Sequence, residues 1–212
     1  MHKSKSKVVV IDYGVGNTIS VFNAIRFLGY NVKISRSENE IDNADALVMP
    51  GVGAFKEAID NIKSLNLKSI LDKNALQSGK PVLGICVGMQ LMASFSEENG
   101  KHDGLAWIPG EVKRITPQNL SVPHVGWNEV IARFDKDDLF SNAISETPNF
   151  YWDHGYHYDC DDKYKLAVGY YGMEITAAVK KDNIYGVQFH PEKSQTNGLR
   201  LLRSFFNNFK IV

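Results

Sequence analysis

Three short segments of this chain hold residue types that could together carry out nucleophilic attack on a carbonyl group. In Pro81-Val82-Leu83-Gly84-Ile85-Cys86-Val87-Gly88-Met89-Gln90 a cysteine stands between two glycines, after an apolar run and before a helical pattern. Such a Gly-x-Cys-x-Gly turn is the setting of a nucleophile elbow, where a sharp strand-to-helix bend forces the central residue into a strained conformation and small neighbours relieve the crowding. The helix start that follows, Val87 first, offers a positive dipole end and free N–H groups that favour a thiolate and a developing oxyanion. The plainer reading is a core cysteine, since unpaired cysteine is among the most buried residue types.

A second segment weighs against that plainer reading. Gly186-Val187-Gln188-Phe189-His190-Pro191-Glu192 ends an apolar strand on a histidine, with a carboxylate two residues on. A cysteine nucleophile needs a base that titrates near neutrality, and imidazole supplies one. Glu192 could fix the tautomer of His190 and stabilise its charged form, completing a Cys-His-Glu relay. Taken singly, His190 could cap a strand and Glu192 could be a solvated charge.

The third segment is Met49-Pro50-Gly51-Val52-Gly53-Ala54-Phe55. It follows a short apolar strand and precedes a helix, the place where ligands bind in open α/β sheets. Glycines there leave backbone N–H groups free to receive a substrate oxygen. A phosphate cradle is disfavoured because no Gly-Lys-Ser/Thr sequence accompanies the turn.

These groups need a scaffold, and the hydrophobic rhythm suggests one. Strand-like Lys7–Asp12, Asn31–Ile34, Ala46–Met49 and Pro81–Ile85 alternate with helical Asn17–Leu28, Phe55–Ser64 and Leu67–Gln77, a pattern expected of parallel strands with crossover helices. After Gly110 the pattern becomes alternating and aromatic-rich in Asn128–Arg133, Asn149–Tyr151, Lys165–Tyr170, Thr176–Lys180 and Ile184–Gln188, which suits antiparallel or mixed sheet. A last helix, Gly198–Phe209, is expected to dock through Leu199, Leu202, Phe206 and Phe209. The expected fold is therefore α/β, a mostly parallel central sheet flanked by helices with an added antiparallel β portion, formed as a single domain over residues 1–212.

The charge balance narrows the partners. Lys plus Arg and Asp plus Glu both total 24, a formal net charge of zero, without the basic field that nucleic-acid binding requires. No stretch has the length of a membrane span or the shape of a secretory leader. Two cysteines in unlike contexts make no disulfide framework, so a reducing cytoplasm is the expected location. His154, His157 and Cys160 are metal-ligand types, but strand residues three apart face opposite ways. No metal and no cofactor are expected.

Pro-Gly-Val-Gly-Ala-Phe, Gly-Ile-Cys-Val-Gly-Met-Gln and Gln-Phe-His-Pro-Glu-Lys-Ser occur in this order, joined by Asp12-Tyr13-Gly14-Val15-Gly16-Asn17 and Pro123-His124-Val125-Gly126-Trp127-Asn128. With them the chain resembles, over nearly its whole length, the class I glutamine amidotransferases, and among those the glutaminase subunits of imidazole glycerol phosphate synthases. The resemblance implies that Cys86, His190 and Glu192 hydrolyse L-glutamine through a thioester and that no cofactor is needed. It implies a glutamine pocket at Gly51, Gln90, Glu98, His154, Gly155 and Tyr156. Val52, Gly53 and Val87 become the oxyanion donors, with Val52 and Gly53 also forming a switch.

The implied partner is a HisF-type cyclase subunit, a β/α barrel, in a heterodimer that receives the ammonia, with Asn17, Trp127 and Lys193 as interface or gating residues. One departure stands out. Where the family typically has Val-His-Ser-Tyr, this chain has Trp152-Asp153-His154-Gly155-Tyr156-His157. That change keeps open a paralogous subunit supplying ammonia for amidino-sugar formation in surface polysaccharide synthesis. A free-standing cysteine hydrolase is the alternative of another class, and it would need no partner for activity.

Overall fold

A computed structural model describes residues 6–133, 139–140 and 148–212, so the first five residues of the basic start lie outside the described residues. The first half runs β1 (Lys7–Ile11), α1 (Thr18–Phe27), β2 (Asn31–Ser35), α2 (Glu38–Asp42), β3 (Ala46–Met49), α3 (Phe55–Ser64), α4 (Leu67–Asp72), β4 (Val82–Ile85) and α5 (Val87–Gln90). There follow β5 (Phe95–Ser96), β6 (His102–Asp103), β7 (Glu111–Arg114), β8 (His124–Glu129), β9 (Ile131–Ala132), β10 (Asn149–His154) and β11 (Tyr156–Asp159). The chain closes with β12 (Lys165–Tyr170), β13 (Glu174–Lys181), β14 (Ile184–Val187) and α6 (Gln195–Asn208).

Eight strands form the main sheet in the order β2-β1-β3-β4-β14-β13-β12-β9. From β2 to β14 the neighbours are parallel, and from β14 to β9 they are antiparallel. Every residue of β3, β4 and β14 is buried, because crossover helices cover both faces of a parallel sheet and leave no face for polar side chains. Burying each such Val, Leu or Ile contributes about 1.5–3 kcal/mol. Among the described residues no helix is long and apolar enough to cross a membrane.

The strand order sets the functional edge. β1 has β2 on one side and β3 on the other, so the connections leave in opposite directions and open a crevice at the carboxyl ends of the strands. The segments after β1, β3, β4 and β14 all emerge there, and they carry Asn17, Gly51 to Gly53, Cys86 and His190. Two smaller sheets close the crevice: a ribbon of β10 with β8, and a four-stranded sheet in the order β11-β7-β5-β6.

Three expected elements differ in detail. The expected helix Leu67–Gln77 is α4 followed by a π-turn over Lys73–Gln77. Its widened ring, closed by Ser78 N–H to the Lys73 carbonyl, accommodates buried Asn74, whose amide donates to Asp42 and to the Ile70 carbonyl. The helix after Cys86 is a single turn, so the positive end there consists of local free N–H groups rather than a long dipole.

The last helix starts earlier than expected and presents another face. Leu201, Leu202, Phe205 and Phe206 are buried while Leu199 and Phe209 are half-buried. Gly198 explains this rotation: a Cβ there would stand 1.8 Å from the Pro191 carbonyl oxygen, so position 198 must face inward and the residues three, four, seven and eight further on follow it.

Candidate active site

The elbow forms because β4 must turn at once into α5. Cys86 sits at φ 52° and ψ −110°, outside the comfortable regions for an L-residue. Its N–H donates to the Val187 carbonyl at 2.8 Å and its carbonyl accepts the Gln90 N–H at 3.1 Å, which hold the strained residue between β14 and α5. The flanking glycines are required by close approach: a Cβ at Gly88 would lie 1.8 Å from the Met49 carbonyl oxygen, and one at Gly84 would lie 2.6 Å from that of Gly88.

His190 is fully buried and is fixed from both ends. Its N–H donates to the Tyr151 carbonyl at 2.8 Å, and its carbonyl accepts the Ser194 hydroxyl at 2.6 Å. Its Nδ1 lies 2.7 Å from Glu192 Oε1, with both side chains shut off from solvent. Nε2 makes no geometrically complete hydrogen bond among the described residues. Burial opposes charge on this ring, but the neighbouring Cys86 sulfur and the Glu192 carboxylate outweigh it and raise its pKa from 6.5 to about 10. A dry cysteine sulfur and a proton-holding imidazole are thus set side by side, an arrangement that can attack a carbonyl and protonate a leaving amine.

A cavity of about 110 Å³ opens beside the sulfur, lined by Val52, Gly53, Cys86, Val87, Gln90, Glu98, Asp153, His154, Gly155 and Tyr156. Gly51 lies just behind it: a Cβ there would come within 2.9 Å of Val87 Cβ and 3.0 Å of the Tyr13 hydroxyl. Gly53 takes a φ of +100°, a turn that few side chains accept. Glu98 is tied back to α3, its Oε2 accepting the Phe55 N–H at 2.7 Å. The amide nitrogen of Gln90 is committed inward, donating to the Tyr156 carbonyl at 3.1 Å and to Gln188 Oε1 at 3.0 Å.

Of the three expected interface or gating residues, Asn17 reaches the cluster of Cys86, His190 and Glu192, its amide donating to Glu192 Oε1. Trp127 is half exposed, which excludes a core role for it. Its ring meets Tyr151 edge-on at 6.2 Å, and Lys193 Nζ lies 5.4 Å from the centre of the same Tyr151 ring. Tyr151 is in turn 6.5 Å from the His190 ring, so these two residues cap the outer side of the base.

Sequence reasoning assigned no role to Tyr13, His124, Asp153, Gln188 or Ser194. Tyr13 is buried and its hydroxyl donates to the Pro50 carbonyl, pinning the start of the Pro-Gly-Val-Gly turn; burial and the nearby Cys86 push its pKa up. His124 donates from Nδ1 to His154 Nε2 at 3.1 Å, since His154 Nδ1 must donate to the Tyr156 carbonyl at 2.7 Å. Desolvation lowers His154 to about 3 and His124 to about 4. Tyr13, Gln188 and Ser194 all fall inside or beside the motifs above, and their positions in those motifs were the available signal. His157 lies on β11, and no group of three potential ligands able to hold a metal ion occurs among the described residues.

An elbow cysteine, a carboxylate-held histidine and a glycine turn at the carboxyl edge of a mostly parallel sheet define a class of cysteine-dependent amide-cleaving enzymes. The chain belongs to the class-I glutamine amidotransferase family, whose profile matches residues 9–209. Its relatives include subunits named HisH. The chain is 45% identical over 207 residues to imidazole glycerol phosphate synthase subunit HisH 2 of Vibrio vulnificus (strain YJ016), covering 97% of this chain and 96% of that protein. Against the HisH subunit of Caldanaerobacter subterraneus subsp. tengcongensis it is 42% identical over 204 residues, with 96% and 98% covered. Solved structures share the fold: PurLQS from Thermotoga maritima superposes with a TM-score of 0.72 at 19% identity, covering 97% of this chain and 99% of that one. A structure described as glutamine amidotransferase superposes with 0.74 at 16% identity, covering 96% and 99%.

Proposed function

We propose that this chain is the glutaminase subunit of an imidazole glycerol phosphate synthase, hydrolysing L-glutamine and passing ammonia to a HisF-type cyclase in a cytoplasmic heterodimer. The observation that carries the reading is Cys86, strained at φ 52°, facing a histidine whose other nitrogen is 2.7 Å from a dry carboxylate. Full-length similarity to HisH subunits supports the pathway.

Glutamine enters the cavity with its carboxamide against Cys86. The thiolate attacks the carbonyl carbon, and the oxyanion is received by backbone N–H groups of Val52, Gly53 and Val87. His190 gives its proton to the departing nitrogen, releasing ammonia and leaving a γ-glutamyl thioester. The neutral ring then takes a proton from water, whose oxygen attacks the thioester, and glutamate leaves as the thiolate is restored. Glu192 keeps His190 in the tautomer that directs Nε2 at both steps. Gln90, Glu98 and the 154–156 backbone fix the amino-acid end, while Trp127 and Lys193 face the partner.

Gly155 favours a second reading. Its backbone is not left-handed, and an added Cβ would meet only Val122 Cγ1 at 3.7 Å, so packing does not demand glycine at the family's serine position. A paralogous subunit that supplies ammonia for amidino-sugar formation would carry the same triad with a different acceptor. The deciding experiment is glutamate release by the purified chain alone and with a HisF-type cyclase plus its ribonucleotide substrate. Stimulation supports the histidine pathway. Absence of stimulation there, with stimulation by a cyclase from a sugar gene cluster, transfers the chain to the second pathway, and full activity without any partner would defeat both.

A further inference from the structure

Beyond the histidine, the reacting sulfur has a second polar neighbour. Gln188, fully buried two residues before His190, places its amide nitrogen 3.6 Å from Cys86 Sγ. The direction of this contact follows from a chain of constraints. The Tyr156 carbonyl can only accept, so the Gln90 group facing it at 3.1 Å is the amide nitrogen. The same nitrogen meets Gln188 at 3.0 Å, so the Gln188 atom there is the oxygen. Its remaining end, the NH₂, is thereby turned onto the sulfur.

We propose that Gln188 is a fourth group of the catalytic centre, an amide clamp that donates to the Cys86 thiolate and is kept in that orientation by Gln90. The proposal rests on Cys86 being the nucleophile and adds a thiolate-specific donor from the sheet. A carbonyl oxygen, that of Asp153, faces the sulfur at 3.9 Å. It can accept from a thiol but offers nothing to a thiolate, so the two neighbours favour opposite protonation states. An N–H donor on a buried anion is stronger than one on a neutral group, and it is again in place for the sulfur when hydrolysis of the thioester restores the thiolate. The other titratable groups around Cys86 are His190 after β14, with Glu192 behind it, Tyr13 after β1, and Glu98, Asp153, His154 and Tyr156 around the cavity.

The test is the pH profile of Cys86 alkylation by iodoacetamide in the intact chain, followed by peptide mass mapping, for wild type, Gln188→Met and Gln188→Glu. Methionine keeps the volume and removes the donor, while glutamate keeps an acceptor for Gln90 and turns an oxygen onto the sulfur. Both variants are expected to move the half-maximal pH upward by about one unit, with kcat reduced more than KM. A residue that only fills space would lower the melting temperature or scale the rate at every pH without moving the profile. Cys160 is the internal control, since burial raises its thiol to about 12. If Cys86 outpaces Cys160 in wild type but both folded variants share the wild-type profile, the clamp is overturned and the nucleophile stands. If Cys86 reacts no faster than Cys160 in wild type, the nucleophile assignment falls with the clamp.

Discussion

Two buried histidine sites flank the same cavity and carry opposite protonation. On the sheet side, His190 has a carboxylate at 2.7 Å and a sulfur beyond, and its pKa rises to about 10. On the ribbon side, His154 has a backbone carbonyl at 2.7 Å and another neutral ring at 3.1 Å, and its pKa falls to about 3. Burial alone pushes both rings toward neutrality, so the difference comes from the partner: a buried charge is tolerated where an opposite charge meets it and expelled where only dipoles do. The first ring is thereby equipped to move a proton. The second is a rigid wall, because a proton added to His154 Nε2 would face the Nδ1–H of His124.

The largest break in this comparison is removal of the sulfur. Cys86→Ala is expected to abolish glutamate release while leaving the fold intact, as measured by steady-state assay and thermal melting. His190→Gln removes the proton carrier and should lower turnover by about 10²–10⁴-fold. Glu192→Gln leaves the ring without its counter-charge, making His190 more like His154; the loss should be of similar order, with the alkaline limb of the rate profile displaced to lower pH.

A smaller change is expected at the edge of the relay. Asn17→Ala removes one donor from Glu192, a charge-assisted bond of about 1.5–3 kcal/mol, so turnover should fall roughly ten- to a hundredfold if the bond is fully expressed in catalysis. An unchanged kcat in this variant would assign Asn17 to the partner surface alone.

The smallest effect concerns stability against pH. His154 and His124 have folded pKa values of about 3 and about 4 against an ordinary 6.5, so the unfolded chain binds more protons in that interval. Their contribution to stability is present above 6.5 and declines as pH falls, through about 4 for His124 and about 3 for His154. His190, raised to about 10, acts in the reverse sense: its contribution is full below 6.5 and is lost as pH rises toward about 10. Urea midpoints measured across this range should therefore fall at both ends, and His124→Gln should flatten only the acid side.

What the sequence made legible follows the same division. The sheet side was readable because its chemistry sits in contiguous motifs at strand ends: Cys86 after β4, His190 and Glu192 after β14, Gly51 to Gly53 after β3. On the ribbon side His154, Gly155 and Tyr156 were named only through the family resemblance, and the pairing of His124 with His154 was not readable, because it depends on the register of β8 with β10 and no spacing in one dimension encodes it. Gln188 lay inside a motif already singled out, yet its role depends on Gln90, 98 residues away. Asn17 and Glu192 are 175 residues apart, so their meeting needed the carboxyl edge itself. The fold divided likewise: buried parallel strands announced themselves as apolar runs, while short β5, β6 and β7 carried no pattern long enough to register, and the α6 face depended on the close approach of Gly198 to Pro191.

The most direct test of this account is the protonation of the imidazole rings in the folded chain, read at neutral pH by nitrogen-15 NMR with assignments from His190→Gln and His154→Gln. His190 is expected to carry protons on both nitrogens while His154 and His124 each carry one, on Nδ1. A neutral His190 in the native chain, or a doubly protonated His154, would contradict it.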